Sequence, residues 1–305
     1  MQTLINFLYR NPKARLKHFR RFGGYFNYRK MMAARKQMEQ ASFTLPPVIS
    51  VSEGLAIHFL TGKKYLYQTL FCIRSLILVS KAKFRFVLVD DGSFDDELIN
   101  RINKQLPEAE IVTKNIITQN LEKVIPKAHF PYLHHKRAVY PHIKKLTDIH
   151  TLSGDAWKLV LDSDMLFWDE PCEILEWLCA PKHALHMTDC DEAYGYSTKL
   201  MEELSGKTVK PLINVGAIGL NSDAINWEDL ERWTEVLEKR EGTSYYLEQA
   251  LSAMLVGDHN ASALPADIYI VNPGKKAVTE QAGSLHHYVD LSKEGYYKQA
   301  WKKLI

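Results

Sequence analysis

Short apolar runs alternate with helix-like patterns through the first half of the chain. Residues 55–60 and 84–89 are mostly apolar and each run is closed by turn residues, which is typical of buried strands. Residues 65–79 and 95–105 follow these runs and carry apolar side chains at helical spacing. Strands that alternate with helices predict an α/β fold with a mostly parallel, Rossmann-like sheet flanked by helices.

The second half of the chain adds a further apolar run and more amphipathic helices. Residues 158–168 form an apolar stretch that contains two aspartates, and residues 138–145 and 245–256 have helical periodicity. Neither a repeat nor a change of composition divides residues 46–305. We therefore expect one catalytic-type domain over 46–305, preceded by a basic helical extension over 1–45.

The two aspartates in this stretch are Asp162 and Asp164. Residues two apart in a strand point to the same side, so both carboxylates can reach one point. Two such carboxylates repel each other, and a divalent cation such as Mg²⁺ or Mn²⁺ removes that cost. The alternative is a pair that precedes a helix start, because Pro171 and Glu173 are typical of a first helical turn.

Other candidate ligand residues lie at comparable places in the pattern. Asp90 and Asp91 end an apolar run and can accept hydrogen bonds from a base or ribose, although a plain Asp-Gly turn needs no ligand. Asn214 and Gly216 lie in an apolar segment with two glycines, which indicates close approach of a ligand or a bulged core strand. Ligands of parallel sheets bind beyond the carboxyl ends of the strands, where both aspartate pairs are expected.

Two groups of basic and imidazole side chains complete the candidates. His287 can complete a metal shell begun by two carboxylates, and Lys293 can neutralise a phosphate. Lys136 and Arg137 can also bind phosphate. The alternatives are a structural histidine and a solvated helix start, which are both common.

Charge is distributed unevenly along the 305 residues. Residues 1–45 hold ten Lys/Arg and one Glu, a charge of +9, so a net charge of +3 for the whole chain leaves −6 on the rest. Aromatic side chains are interleaved with the basic ones. This composition suits the surface of an anionic membrane or a helical extension packed on the body. It also suits a nucleic-acid contact, but we expect no nucleic-acid partner.

Compartment and membrane topology follow from simple counts. No apolar run approaches the roughly 18–20 residues that cross a bilayer. The four cysteines show no Cys-x-x-Cys spacing and are typical of reduced, cytosolic thiols. We therefore expect a cytoplasmic protein, with peripheral contact to the inner membrane face through the basic extension as an option.

Taken in order, these motifs resemble the GT-A class of nucleotide-sugar glycosyltransferases, and most closely the glycogenin/galactosyltransferase-like family 8. In that family an apolar strand delivers Asp-x-Asp, an Asn-x-Gly strand follows, and a His-x-x-Gly-x-x-Lys motif closes the site. His287 and Lys293 have this last spacing, with Asp290 where the family has glycine. Residues 246–251 resemble the acidic helix of the family, with Glu248 in place of its first aspartate. The Asp-Asp-Gly-Ser turn is more similar to family 2.

The resemblance implies a metal-dependent transferase that moves a sugar from a nucleotide-diphosphate sugar, foremost a UDP-sugar, to a hydroxyl acceptor. The acceptor would be a glycan or a lipid-linked molecule in glycan or envelope polysaccharide synthesis. Mn²⁺ or Mg²⁺ would be held by Asp162, Asp164 and His287. Glu248 or Asp191 would act as the base if the enzyme inverts, whereas a retaining enzyme requires none.

The same resemblance implies roles for the donor-binding residues. These side chains and backbone positions would contact the base, ribose, phosphates or sugar: Asp90, Asp91, Lys136, Arg137, Asn214, Gly216 and Lys293. Two other functions are compatible with the motifs. One is a degenerate sugar-nucleotide-binding protein, against which the complete Asp/Asp/His set argues. The other is an Asp-based phosphatase, which normally has threonine where this chain has Leu166.

Overall fold

The computed structural model describes residues 16, 17, 19–257 and 260–305. The strands in these residues are β1 Leu55–Thr61, β2 Phe84–Asp90, β3 Glu110–Val112, β4 Trp157–Leu161, β5 Met165–Phe167, β6 Ala184–Thr188, β7 Ile213–Asn221, β8 Ala261–Ala263, β9 Tyr269–Val271 and β10 Leu285–His287. The α-helices, numbered from the first with defined bounds, are α1 Tyr25–Ala41, α2 Leu66–Val79, α3 Asp96–Gln105, α4 Lys114–Val124, α5 Pro131–Val139, α6 Lys144–His150, α7 Cys172–Cys179, α8 Thr198–Ser205, α9 Trp227–Glu241, α10 Leu247–Val256, α11 Lys275–Glu280 and α12 Lys293–Lys298.

The main sheet of the described residues has seven strands in the order β3-β2-β1-β4-β7-β6-β8. Strands β1, β2, β3 and β4 are parallel to their neighbours in this set, and β6 is parallel to β8. Strand β7 runs antiparallel to both β4 and β6. The predicted α/β fold with a mostly parallel sheet flanked by helices is confirmed.

Two apolar layers cover the faces of this sheet. Phe59, Phe86 and Leu88 face one layer, whereas their neighbours Val87 and Val89 face the other. All five side chains are buried, as expected for parallel strands covered on both sides. Burying a side chain of this size contributes about 1.5–3 kcal/mol, so the two layers hold the strand ends firmly in place.

A small second sheet pairs β10, from late in the described residues, with β5. It has the order β5-β10-β9, with β10 antiparallel to β5 and parallel to β9. In this register His287 pairs with Met165, and the Tyr288 N–H donates to the Asp164 carbonyl at 2.9 Å. The second sheet therefore places a late histidine beside the Asp-x-Asp segment.

Helix α1 packs on the body through one face. Met31, Ala34 and Met38 are buried at spacings of three and four residues and join the apolar layer that contains Phe59. Arg35 also donates from Nε to the Tyr67 hydroxyl at 2.9 Å. Residues 1–15 of the predicted extension lie outside the described residues, and the division at residue 45 stays a prediction.

Two local helix predictions were wrong at their boundaries. The helix expected over residues 138–145 is interrupted, because α5 ends at Val139 and α6 begins at Lys144. Pro141 lacks an N–H and keeps Tyr140 out of the helical region, with φ −136° and ψ 85°. The helix expected from residue 245 begins at Leu247. Within the described part of the chain, no helix has the length and apolar character needed to cross a bilayer.

Candidate metal centre

The Asp-x-Asp segment joins the two sheets. Asp162 follows β4, and its N–H donates to the Gly216 carbonyl of β7 at 2.7 Å. Asp164 directly precedes β5. Between them, the Ser163 hydroxyl lies 2.9 Å from the Thr69 hydroxyl of α2. Both ends of this short loop are therefore anchored in strands, which limits the movement of the two carboxylates.

His287 lies against both carboxylates. Its Nε2 atom is 3.6 Å from Asp162 Oδ2 and 3.4 Å from Asp164 Oδ1. One ligand atom from each of the three residues can be chosen so that all lie within 4.8 Å of one another. The imidazole is buried and the carboxylates are partly exposed, so the cluster is rigid on one side and open on the other.

Asn214 determines which nitrogen of His287 faces the carboxylates. Its Oδ1 accepts from the Gly216 N–H at 2.9 Å and lies 3.1 Å from His287 Nδ1. Because this oxygen can only accept, the network assigns the proton to Nδ1. Nε2 then presents a lone pair to two carboxylates, an arrangement that a cation stabilises.

Two lysines pair with the aspartates. Lys293, the first residue of α12, donates from Nζ to Asp164 Oδ2 at 3.0 Å. Burial acts to raise the pKa of Asp164, but the charge of Lys293 and the contact with the His287 ring outweigh it and lower that pKa. Lys145 of α6 donates to Asp162 Oδ1 at 3.0 Å. Burial acts to lower the pKa of Lys145, but Asp162 and Glu248 raise it overall.

Glu248 lies behind this group on α10. Its Oε2 is 3.3 Å from Lys145 Nζ, whereas Oε1 is buried without a hydrogen-bond partner. Burial raises the pKa of Glu248 to about 7, and Asp162 adds to this effect while Lys145 opposes it. A buried acceptor with no partner costs about 1–3 kcal/mol, and Oε1 is the atom of Glu248 that can still accept a hydrogen bond.

Asp189 and Gln249 support the same wall and were missed by the sequence analysis. Asp189 Oδ2 accepts from Asn214 Nδ2 and from Gln249 Nε2, each at 3.0 Å. Gln249 also donates to the Ile213 carbonyl at 2.9 Å. Asp189 was not considered because it follows β6 without any motif. Lys145 was missed as well, because Lys144 and Lys145 together have the composition of a solvated helix start.

Gly216 lies directly against the His287 ring. A Cβ atom at this position would lie 2.3 Å from Cε1 and Nδ1 of His287. It would also lie 2.7 Å from the Met165 methyl group. The imidazole that packs on this position therefore requires a glycine, and a sugar contact at Gly216 stays a prediction.

The side chains of Asp90 and Asp91 stabilise their own turn. Asp90 is buried, and its Oδ1 accepts from the N–H groups of Gly92 and Phe94. Asp91 Oδ1 accepts from the Ser93 N–H and hydroxyl. Asp91 remains partly exposed, and the Lys144 ammonium donates to its carbonyl at 2.6 Å. Contact of this turn with a base or ribose stays a prediction. Asp91 suits that contact better than Asp90 because its side chain is partly exposed.

The structure does not bring Lys136 and Arg137 to the metal cluster. Lys136 is buried and pairs with Glu238 at 2.5 Å, and Arg137 makes two bonds to Asp148 at 2.5 and 2.8 Å. Their charges are already matched by carboxylates, so we replace them with Lys145 and Lys293 as the basic residues of the site. Asp191 lies on the exposed loop after β6, where its carboxylate faces the Cys190 thiol.

The donor set fits a hard divalent cation. Two carboxylates supply oxygen ligands, and the imidazole supplies a nitrogen whose other ring atom is held by Asn214. Such a mixed set suits Mn²⁺ well and Mg²⁺ through its oxygens. The three side chains also leave the open side of the cluster free for other ligands.

By sequence, the chain matches no protein-family model and none of the curated proteins. By structure, it superposes on mouse xyloside xylosyltransferase 1 with a TM-score of 0.51, at 12% identity over 79% of this chain and 97% of that one. It also superposes on the galactosyltransferase LgtC, solved with donor and acceptor sugar analogues, with a TM-score of 0.51 at 12% identity over 82% of this chain and 94% of that one.

The chain has the GT-A glycosyltransferase fold. The expected resemblance to family 8 is thus confirmed at the level of the fold, across most of the chain. In this GT-A fold the cluster of Asp162, Asp164 and His287 lies at the carboxyl end of β4, where α/β proteins bind their ligands.

Proposed function

We propose that this chain is a metal-dependent glycosyltransferase that moves a sugar from a nucleotide-diphosphate sugar, foremost a UDP-sugar, to a hydroxyl acceptor. The acceptor would be a glycan or a lipid-linked molecule in glycan or envelope polysaccharide synthesis. The observation that carries the proposal is the convergence of Asp162, Asp164 and His287 on one point in a GT-A fold. Mn²⁺ or Mg²⁺ is the cofactor that these residues would hold.

The charges of the cluster support a diphosphate ligand. Asp162 and Asp164 are balanced by Lys145 and Lys293, so the four side chains together are close to neutral. A bound divalent cation supplies the positive charge that offsets charge developing on a leaving diphosphate. Lys293 is the more exposed lysine and can also donate to a phosphate oxygen while it stays near Asp164.

Glu248 is proposed to hold a sugar hydroxyl. Its unpartnered Oε1 can accept from the donor sugar or from the acceptor. If the transfer inverts configuration, a carboxylate whose pKa lies at about 7 suits a general base. If the transfer retains configuration, Glu248 positions the substrate. The exposed Asp191 is the other predicted base, and no contact with the cluster supports it.

A cytoplasmic location is part of the proposal. All four cysteines lie in the described residues and are free thiols, three of them exposed. Exposed free thiols suit a reducing compartment. The competing phosphatase function gains no support, because Leu166 is buried in β5 where that class needs a polar residue.

The proposal is tested by donor hydrolysis. The protein is incubated with Mn²⁺ and a panel of UDP- and GDP-sugars, and nucleotide release is measured. We expect release from at least one donor, and loss of release and of Mn²⁺-dependent nucleotide binding in Asp164→Ala. The matched control is Asp169→Ala, which removes an exposed carboxylate five residues away. Nucleotide binding without release would indicate the degenerate binding protein, and absence of both would refute the enzyme.

A further inference from the structure

The outer face of α1 is basic and carries an exposed aromatic side chain. Phe26 is 80% exposed, and Arg29, Lys30 and Lys36 are also exposed. These four residues, called the basic face below, follow the helical spacing that points away from the buried Met31 and its neighbours. The acid on α1 is Glu39, close to its C-terminal end. The exposed side of this helix therefore has no local carboxylate near Phe26.

The segment before α1 extends this surface. Phe19 packs against Tyr25 and Tyr28 with ring centroids 5.3 and 5.1 Å apart, which fixes the segment to the start of the helix. Arg20 on the same segment is exposed. Tyr25 is itself partly exposed beside Phe26. Aromatic and basic groups thus meet at one end of α1.

This end of α1 lies beside the metal centre. Arg21 forms an ion pair with Asp290, and Asn27 Nδ2 donates to Glu294 Oε1 at 2.7 Å. Both partners flank Lys293, whose ammonium lies 3.0 Å from Asp164. Helix α12 therefore lies between the start of α1 and the residues that would bind the donor.

We propose that the basic face docks on an anionic phospholipid bilayer. Basic side chains on an interfacial helix are attracted by acidic headgroups, and an exposed ring such as Phe26 gains by entering the interface. A nucleic acid would match the charge. Its phosphate backbone, however, offers no apolar surface that Phe26, which is 80% exposed, could enter. The bilayer accounts for both features, so it is the partner that the surface fits.

Docking has a consequence for the acceptor, and this consequence rests on the proposed function. Because α12 links the start of α1 to Asp164, docking through α1 would hold the metal centre at a fixed distance from the bilayer. The acceptor hydroxyl would then belong to a membrane-borne, lipid-linked molecule. The docking itself needs no transferase activity, so the two ideas can fail separately.

The test is co-sedimentation of the full chain with phosphatidylcholine vesicles that contain or lack phosphatidylglycerol. We expect binding to the acidic vesicles only, and its loss at high salt, because salt screens exposed charges. Replacing Arg29, Lys30 and Lys36 by glutamine should lower the partition coefficient about 100-fold, from about five-fold for each basic residue near an anionic surface. At an intermediate salt concentration, where the unmodified chain still binds acidic vesicles, Phe26→Ser should bind them more weakly.

A matched control removes three exposed lysines from another surface, Lys114, Lys123 and Lys127. The control should bind acidic vesicles within a few-fold of the unmodified chain. Equal loss in the two triple variants, or no binding of the unmodified chain to acidic vesicles, would overturn the proposal. Tight binding to duplex RNA or DNA without vesicle binding would overturn it in favour of a nucleic-acid contact. The proposed function is tested separately, by nucleotide release from the unmodified chain with soluble acceptors or water and without vesicles.

Discussion

The ring of His287 occupies the space that a side chain on residue 216 would need, since a Cβ there would lie 2.3 Å from two of its atoms. The ring is also held by Asn214 and faces both aspartates. Gly216 is thus a positioning residue for the imidazole. This relationship can be tested without knowledge of the substrate.

Gly216→Ala should lower Mn²⁺ affinity by about 10–100-fold, the range typical of residues that orient a metal ligand. The added methyl group forces the His287 ring away from the carboxylates. Titration calorimetry with Mn²⁺ measures the effect. Gly274→Ala is the control, because a Cβ there meets no atom within 4 Å and the glycine has φ −67°. Unchanged affinity in Gly216→Ala would contradict the ligand role of His287.

Lys145→Met should destabilise the fold by about 3–5 kcal/mol, since removing one partner of a buried ion pair leaves charge uncompensated. Asp162 and Glu248 both lose their cation. Because Lys145 lowers the pKa of Glu248, that pKa lies above about 7 in the variant, and the deficit should shrink as the pH falls towards 7 and Glu248 becomes neutral. Urea unfolding measures the free energy, with the exposed Lys114→Met as the control. A loss below about 1 kcal/mol, the range of surface pairs, would show that Lys145 is not buried between these carboxylates.

Glu248→Gln should change how stability depends on pH. The folded pKa of about 7 lies above the ordinary 4.5, so the native state binds the extra proton between these values. The stabilisation from that proton is complete below pH 4.5 and is lost as the pH rises through 7. The variant should therefore gain about 3–4 kcal/mol relative to the unmodified chain across this window, at about 1.4 kcal/mol per tenfold change in proton affinity. The free energy of unfolding of both chains is measured by urea unfolding between pH 4.5 and 7. A difference between the two chains that does not change with pH would exclude a raised pKa at Glu248.

His58 should act in the opposite direction. Burial lowers its pKa from 6.5 to about 4, so the native state keeps this ring neutral while the unfolded chain takes up a proton. Its contribution is complete above pH 6.5 and is lost as the pH falls towards 4. His58→Asn keeps a donor for the Leu159 carbonyl and should flatten this acid limb of the stability profile. The exposed His129→Asn should leave the limb unchanged. An unchanged limb in His58→Asn would contradict the assignment.

The strands β1 and β2 could be predicted from the sequence because burial on both faces requires a continuous apolar run. The place of β7 could not be predicted. Its apolar residues reveal a strand, but local periodicity contains no information about its neighbours or direction. Antiparallel insertion of β7 between β4 and β6 depends on contacts across 56 to 64 positions with β4 and 25 to 34 positions with β6.

The site shows the same division. Asp162 and Asp164 were recognisable from their two-residue spacing at the end of an apolar run, although the structure places them in the loop between β4 and β5 and not in one strand. Lys145 was not, because the sequence does not show which lysine is buried. Lys136 and Arg137 were chosen instead because of their composition. The carboxylates that pair with them are Glu238 on α9 and Asp148 on α6, and the sequence does not show that either helix packs against α5.

The position of β10 gives the metal centre a place in the order of assembly. His287 reaches the aspartates only when β10 has inserted between β5 and β9, close to the end of the described chain. Domains generally begin to fold from their N-terminal side during synthesis, so the carboxylates are made long before the imidazole arrives. A chain that stops before residue 285 would contain the Asp-x-Asp segment without its third ligand. High-affinity metal binding would thus require a polypeptide that has been synthesised at least as far as β10 and has paired this strand with β5 and β9.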